Sequence, residues 1–504
     1  MLDPGTRRLY DTYTLGTQSP AATVLVYETV HFYIEYETTG PDGVPTADVN
    51  PADGIPDYVE WTATACENSW STEIDNLGFT APMLTGGPDN KYLIQFKHQN
   101  SYGYTTGTTA GHTKIVLHPD FIGFPTNDDP EGDQIGALRV TVAHEFKHAS
   151  QFQTSGWSEG QWVELDATWM EDIVYDNVND YYHYIFGSGS PFTAPQTSLN
   201  PGSYEDCNWE HYQSERLGNG HMLNFWNRRA AFPGEAVLTT YSVNLSNSGL
   251  PFTDAWGEYV AWNYACGAHA GSGYGYGEAA SYPTTPAAST HTTLPVATTA
   301  GSVTNLAANT QLINNTGSLS GTPSFTFTGQ SGVSWSVSVL VKDLAGTITR
   351  VPMTLSGGAG TLELTGFDYG NLQWAALVIG NATTSGSATY TFSAQSGPSL
   401  VGVMDRGTVA RLELGAPVPN PGRGGPMTLR LALPHEARVE ATVRDALGRQ
   451  VRQLMAASTP MPAGANTLVW DGRGEAAKAL PSGVYFIQVQ VNGVGLERSV
   501  VLLH

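Results

Sequence analysis

Alternation of apolar and polar side chains sets out the first elements. His31-Phe32-Tyr33-Ile34-Glu35-Tyr36 alternates and predicts a strand, as do Tyr92–Phe96 and Lys114–His118. Between them, Val59, Ala63, Cys66, Trp70, Ile74 and Leu77 recur at spacings of three and four, so residues 57–78 predict an amphipathic helix. Helical patterning returns from Asp133 to about Phe152, and again from about Gln161 to Tyr175.

The pattern then changes. Residues 284–300 read TTPAASTHTTLPVATTA, with no apolar period, which predicts a linker over 284–302. Beyond it Val333, Trp335, Val337, Val339 and Val341 alternate with mostly polar residues, then Leu362 and Leu364, then Ala388, Tyr390 and Phe392. Gly/Ser/Asn clusters separate these runs. That predicts a β-sandwich over 303–411. A break at Val418-Pro419-Asn420-Pro421 opens a second set of short strands: Leu429–Leu433, Val439–Asp445, Leu468–Trp470, Val484–Val491 and Ser499–Leu503. The expected architecture is therefore multidomain: an α+β domain over 1–283, the linker, and two β-sandwich (Ig-like) domains over 303–411 and 412–504.

Charge separates the same regions. The 504 residues hold 23 basic and 46 acidic side chains, a net −23. Residues 1–300 carry 10 Lys/Arg and 35 Asp/Glu, while the remainder is nearly balanced. An acidic surface repels phosphates, which excludes nucleic acid as a partner and a nuclease as the function. No apolar run reaches 18 residues, so no membrane span is expected. The opening MLDPGTRRLYDTY shows no leader, and a chain whose leader had been removed would read the same. Low charge with abundant Gly, Ser and Thr suits a secreted or cell-surface protein. Of three cysteines, Cys66, Cys207 and Cys266, the preferred disulfide is Cys207–Cys266.

The chemistry lies in His144-Glu145-Phe146-Lys147-His148. On a helix, positions i and i+4 share a face, so both imidazoles can bind one Zn²⁺ while Glu145 stands beside it as general base. Val140, Val142, Ala143, Phe146, Ala149 and Phe152 supply the buried surface such a helix requires. A third ligand is needed. Gln151 and Thr154 stand where the metzincin pattern has Gly and His or Asp, which excludes that class. Glu164, Ala167, Thr168 and Glu171 share one face of the next helix, so Glu164 is the expected ligand and Glu171 a partner for a ligand histidine. Glu159, Glu171 and Asp172 are rival ligands.

With its HEFKH and WVELDA segments, the chain resembles the gluzincin metallopeptidases, whose WxxEGxA segment supplies the glutamate ligand. Here Leu165-Asp166 replaces the usual Gly step. Residues 28–282 more closely resemble an uncharacterised, myxobacterial-type family of secreted metalloproteases, through HFYIEYETTG, DGIPDYVEW, HEFKHASQF, ATWMEDIVYDNVNDYYHY, FWNRR and YVAWNY. The resemblance implies a Tyr or His from a later helix that stabilises the oxyanion. Tyr212 is the choice, with His211 and His221 as alternatives and His183 structural. It also implies that strand Lys114–His118 forms the upper edge of the cleft, where an extended peptide could pair.

Asp48-Val49-Asn50-Pro51-Ala52-Asp53-Gly54-Ile55-Pro56-Asp57, followed by Glu60, resembles DxNxDGxxD calcium loops with one extra residue, so Ca²⁺ held by Asp48, Asn50, Asp53, Asp57 and Glu60 is a second expectation. Asp128–Asp133 reads as a solvated loop and helix cap. Residues 416–503 resemble the Ig-like domain shared by flagellar hook-capping proteins and the sorting domains of type IX-secreted proteins, through Val418–Pro421, VRDALGR, VWDG and PSGVYF. That implies contact with secretion machinery or attachment to the cell surface. The expected function is a secreted, monomeric zinc endopeptidase acting on proteins or peptides. The alternative is a catalytically silent surface adhesion or binding protein on the same fold. An aminopeptidase would need a GxMEN-like anchor for a free N-terminus, and the chain has none.

Overall fold

The computed structural model describes residues 23–503 apart from 86–87, 109–110, 398–411, 424–425, 434–436, 462–463, 476–477 and 493. The chain forms two units, residues 1–397 and 398–504.

The first unit begins with a five-stranded sheet. Its strands are β1 (Leu25–Glu28), β2 (Phe32–Tyr36), β3 (Tyr92–Phe96), β4 (Gly103–Gly107) and β5 (Thr113–Leu117), in the order β1-β2-β3-β5-β4. β2, β3 and β5 run parallel, and β4 pairs antiparallel to β5 at the edge. Helix α1 (Asp57–Ser69) continues as a π-helical segment, Trp70–Asn76, and α2 (Asp133–Ser155) crosses the same face. Phe32, Trp70, Tyr92 and Phe146 meet beneath α2. Full burial of a side chain like Phe146 contributes about 1.5–3 kcal/mol.

A helical layer follows: α3 (Trp162–Val174), α4 (Asn208–Leu217), α5 (Gly220–Ala231), α6 (Val237–Asn247) and α7 (Phe252–Tyr264). Its core is dominated by aromatics, including Trp169, Trp209, Tyr212, Tyr241, Trp256 and Tyr259.

The predicted linker is not one. Ser289–His291 is strand β6, paired with residues 311–313, and Val296–Thr304 is β7, paired with residues 387–394. Both build a sandwich with β8 (Ala307–Asn314), β9 (Thr322–Gly329), β10 (Trp335–Asp343), β11 (Ile348–Pro352), β12 (Ala359–Glu363), β13 (Leu372–Asn381) and β14 (Ser387–Gly397). The two sheets run β11-β10-β13-β8-β6 and β12-β9-β14-β7. The sandwich is also no separate module. Leu312, Leu340, Trp374, Ala376 and Val378 join the helical core. At Gly257 of α7 a Cβ would stand 1.7 Å from Ser336 Oγ, so only glycine lets this helix lie so close to β10.

The second unit holds a three-stranded sheet, β15 (Glu413–Leu414), β17 (Met427–Leu433) and β20 (Gly464–Trp470). Facing it is a five-stranded sheet of β16 (Gly422–Arg423), β18 (Ala437–Asp445), β19 (Gln450–Met461), β21 (Gly483–Val491) and β22 (Val494–Leu503), whose strands neighbour one another in the order β16-β22-β21-β18-β19. Leu429, Leu431, Val439, Val443, Trp470, Ile487 and Val489 form its core. Among the described residues no helix is long and apolar enough to cross a membrane.

The expected Cys207–Cys266 bond does not form, and all three cysteines are free and buried. Each acts as a small apolar side chain. The Cys266 thiol donates to the Trp262 carbonyl, 3.3 Å away.

Candidate metal centre

Helix α2 presents His144 and His148 one turn apart, their rings 4.7 Å between centroids and nearly perpendicular at 86°. Glu164, from the first turn of α3, reaches between them. Its Oε2 lies 3.4 Å from His144 Nε2 and 3.2 Å from His148 Nε2. Bonds of about 2.0–2.1 Å to a tetrahedral zinc put its ligand atoms about 3.3 Å apart, so the donor set and its spacing fit that ion. Among the described residues this is the one convergence of three His, Cys, Asp or Glu donors within 4.8 Å.

The other ring nitrogens are committed elsewhere. His144 Nδ1 meets Glu171 Oε1 at 2.7 Å, and His148 Nδ1 meets Gln151 Oε1 at 2.7 Å. Such partners fix the tautomer that leaves the Nε2 lone pair free. Burial alone would depress His144, but its hydrogen bonds to Glu164 and Glu171 hold it well above the usual imidazole range. Burial likewise opposes protonation of His148, and the Glu164 carboxylate more than offsets it. Glu164, despite burial, is held well below the carboxylate range by the same two imidazoles. A dication would replace those protons.

Glu145, one residue along, is 6% exposed and faces β4. The Thr105 hydroxyl lies 2.7 Å from the Glu145 carbonyl oxygen and 2.8 Å from its Oε2. Gly103 permits this approach, since a Cβ there would fall 2.8 Å from Thr141 Cγ2 and 3.1 Å from the Val116 carbonyl oxygen. The edge strand beside Glu145 is therefore β4. The strand expected in that role, Lys114–His118, is β5 and lies one position inside.

Tyr212 does not reach the site. It is fully buried between Trp209, Tyr259 and Trp262, and its hydroxyl donates to Glu258 at 3.3 Å. The tyrosine beside His144 and Glu164 is Tyr204, in a single 3₁₀ turn before α4. Its ring stacks on His144, with centroids 5.5 Å apart and planes 7° from parallel, and its hydroxyl interacts with Glu164. Burial raises that phenol well above its ordinary value, so it stays protonated. The only sequence signal was position, a few residues ahead of the segment 207–226.

The rival ligands have other partners. Glu159 pairs with buried Arg229 at 2.6 Å, Glu171 holds His144, and Asp172 lies 3.7 Å from His211. His211 stacks on Tyr181, and His221 bonds Gln213, Ser248 and Asn244. His183 stacks on Tyr102. In the 128–133 loop, Asp129 and Glu131 pair with Arg139.

In the segment expected to hold calcium, the acidic side chains bond to backbone N–H groups. Asp48 accepts from the backbone N–H groups of Asp53 and Gly54, and Asp57 from those of Val49 and Asn50. Asp53 accepts from the Ile55 N–H. The carboxylates of Asp48, Asp53 and Asp57 cap turns, and among the described residues no three of Asp48, Asp53, Asp57 and Glu60 bring carboxylate oxygens within 4.8 Å of one another.

Comparison with known proteins defines the class of the second unit alone. Residues 420–494 match the FlgD Ig-like domain family. No curated protein matches the chain. Among solved structures, PorZ, a surface component of the type-IX secretion system of Porphyromonas gingivalis, is 16% identical over 25% of this chain and 15% of its own, with a TM-score of 0.14. Latent PorU of the same organism is 17% identical over 42% of this chain and 20% of its own, at 0.17. A β-1,2-glucanase from Parabacteroides distasonis is 11% identical over 37% of this chain and 28% of its own, at 0.12. At these TM-scores none of the three bears on the fold or the site.

Proposed function

We propose that this chain is a zinc-dependent endopeptidase. The observation that carries the reading is the convergence of His144, His148 and Glu164, with both Nδ1 atoms already engaged. Zinc bound there would polarise a peptide carbonyl and acidify a water molecule. The rest falls to side chains of this protein. Glu145 takes the proton of the attacking water and passes it to the departing amine. The Tyr204 hydroxyl donates to the oxygen that gains charge. β4 is the edge strand of its sheet, and an extended substrate pairing with that edge would suit an internal peptide bond in a soluble, unfolded protein. The Ig-like unit would serve secretion or attachment to the cell surface, a reading supported by its family match.

Casein hydrolysis by the zinc-loaded protein, beside Glu145→Ala, is the test. Turnover should fall by a factor of about 10²–10⁴ in the variant, the usual contribution of a general base, with one zinc still bound per chain. Equal rates in both proteins would sink the proposal. A zinc-loaded wild type that cleaves neither casein nor a peptide library would favour a binding protein on this fold.

A further inference from the structure

We infer that Gln151 is the positioning residue for His148, and that Asp166, paired with Lys147, acts on the metal centre through it. The inference rests on the zinc reading above. Gln151 stands three residues after His148 on α2 and is 1% exposed. Its side-chain nitrogen lies 2.7 Å from Asp166 Oδ2 and 3.1 Å from the Val163 carbonyl oxygen. Both are acceptors, so the NH₂ must face them and the amide oxygen must face His148. That oxygen, 2.7 Å from His148 Nδ1, can only accept, so the ring proton sits on Nδ1. The Nε2 lone pair is thereby directed at Glu164 and the metal position.

Asp166 is fixed in turn. Its Oδ1 accepts from Trp226 Nε1 at 2.9 Å, and its Oδ2 lies 3.4 Å from Lys147 Nζ. Lys147 is wholly buried, with its ammonium 3.2 Å from the centre of the Phe79 ring. Gln151, Asp166 and Lys147 are each at most 1% exposed, so solvent does not compete for the contacts among them. The two ligand histidines are therefore held differently: His144 directly by a carboxylate, and His148 by a neutral amide whose orientation a buried ion pair sets.

The test is zinc affinity of the metal-free full chain, by chelator competition, for wild type, Gln151→Leu, Asp166→Asn and the double variant. Melting temperature and the visible spectrum of the Co²⁺ form are recorded alongside. Gln151→Leu should weaken zinc 10- to 100-fold, the usual effect of losing such a partner, and change the Co²⁺ bands. Asp166→Asn should weaken zinc less, and should add nothing in the double variant. A Gln151→Leu affinity within twofold of wild type, or losses that multiply in the double variant, would overturn the inference. If Gln151→Leu fails to fold, unchanged zinc affinity in Asp166→Asn overturns it and weakened affinity supports it. Wild type that binds no zinc at all overturns the metal reading itself, and this inference with it.

Discussion

Tyr204 and Tyr212 lie eight positions apart and have opposite surroundings. Tyr212 is locked among indoles and phenols, whereas Tyr204 is partly open to the cleft and stacked on His144. Tyr204→Phe should therefore lower kcat by about 10²–10³-fold, the range for loss of one oxyanion donor, with little change in KM. Tyr212→Phe should leave kcat within about twofold, because no reacting atom is near it. Steady-state kinetics on a fluorogenic peptide separates the two. At this scale the sequence was most informative where spacing alone imposes geometry. His144 and His148 had to share a face, and Glu164 and Glu171 another. It was silent where a side chain arrives from a turn. Tyr204 sits in three residues of 3₁₀ helix, which have no periodicity to read. Gln151 was noticed only for what it is not.

At the level of elements, α3 and α4 carry part of a group of acids near the candidate metal centre. Asp172 is pushed up to about 8 by burial, reinforced by Glu278, Asp176, Glu215 and Glu171. Its side chain is 12% exposed, and the nearest imidazole, His211, is held neutral by burial. The folded state thus binds a proton that the unfolded chain releases near pH 4. This contribution is full below that pH and is lost as pH rises towards 8. Asp172→Asn, which cannot ionise, should raise the melting temperature more at pH 8.5 than at pH 5, as calorimetry at the two pH values would show. An equal shift at both would mean that Asp172 does not titrate in this range. Amphipathic helices and alternating strands were legible because their periods follow from burial. β4 (GYTTG) and β7 (VATTAGSVT) were not, since both are largely polar segments recruited by a partner's free edge rather than by their own apolar face.

For the whole molecule, the informative boundary is at Gly397, where the first compact unit ends. A chain ending there should hydrolyse soluble casein with kcat/KM within about twofold of the full protein, because every residue assigned to the site lies before it. Activity that disappears on this truncation would mean the Ig-like unit contributes to catalysis, against the proposal. Composition could not locate the boundary correctly. The shift in charge near residue 300 suggested a seam where the helices and the sandwich in fact share one apolar core.

That shared core bears on how such a gene can evolve. The segment from β6 to β14 covers Trp256 and Val260 of α7, so the helices have no finished surface without it. Recombination that replaced the sandwich would strand those side chains in water, and the two parts must be inherited together and co-vary. The Ig-like unit has its own core. Its exchange would leave the core of the first unit unbroken, so the two units can change at different rates.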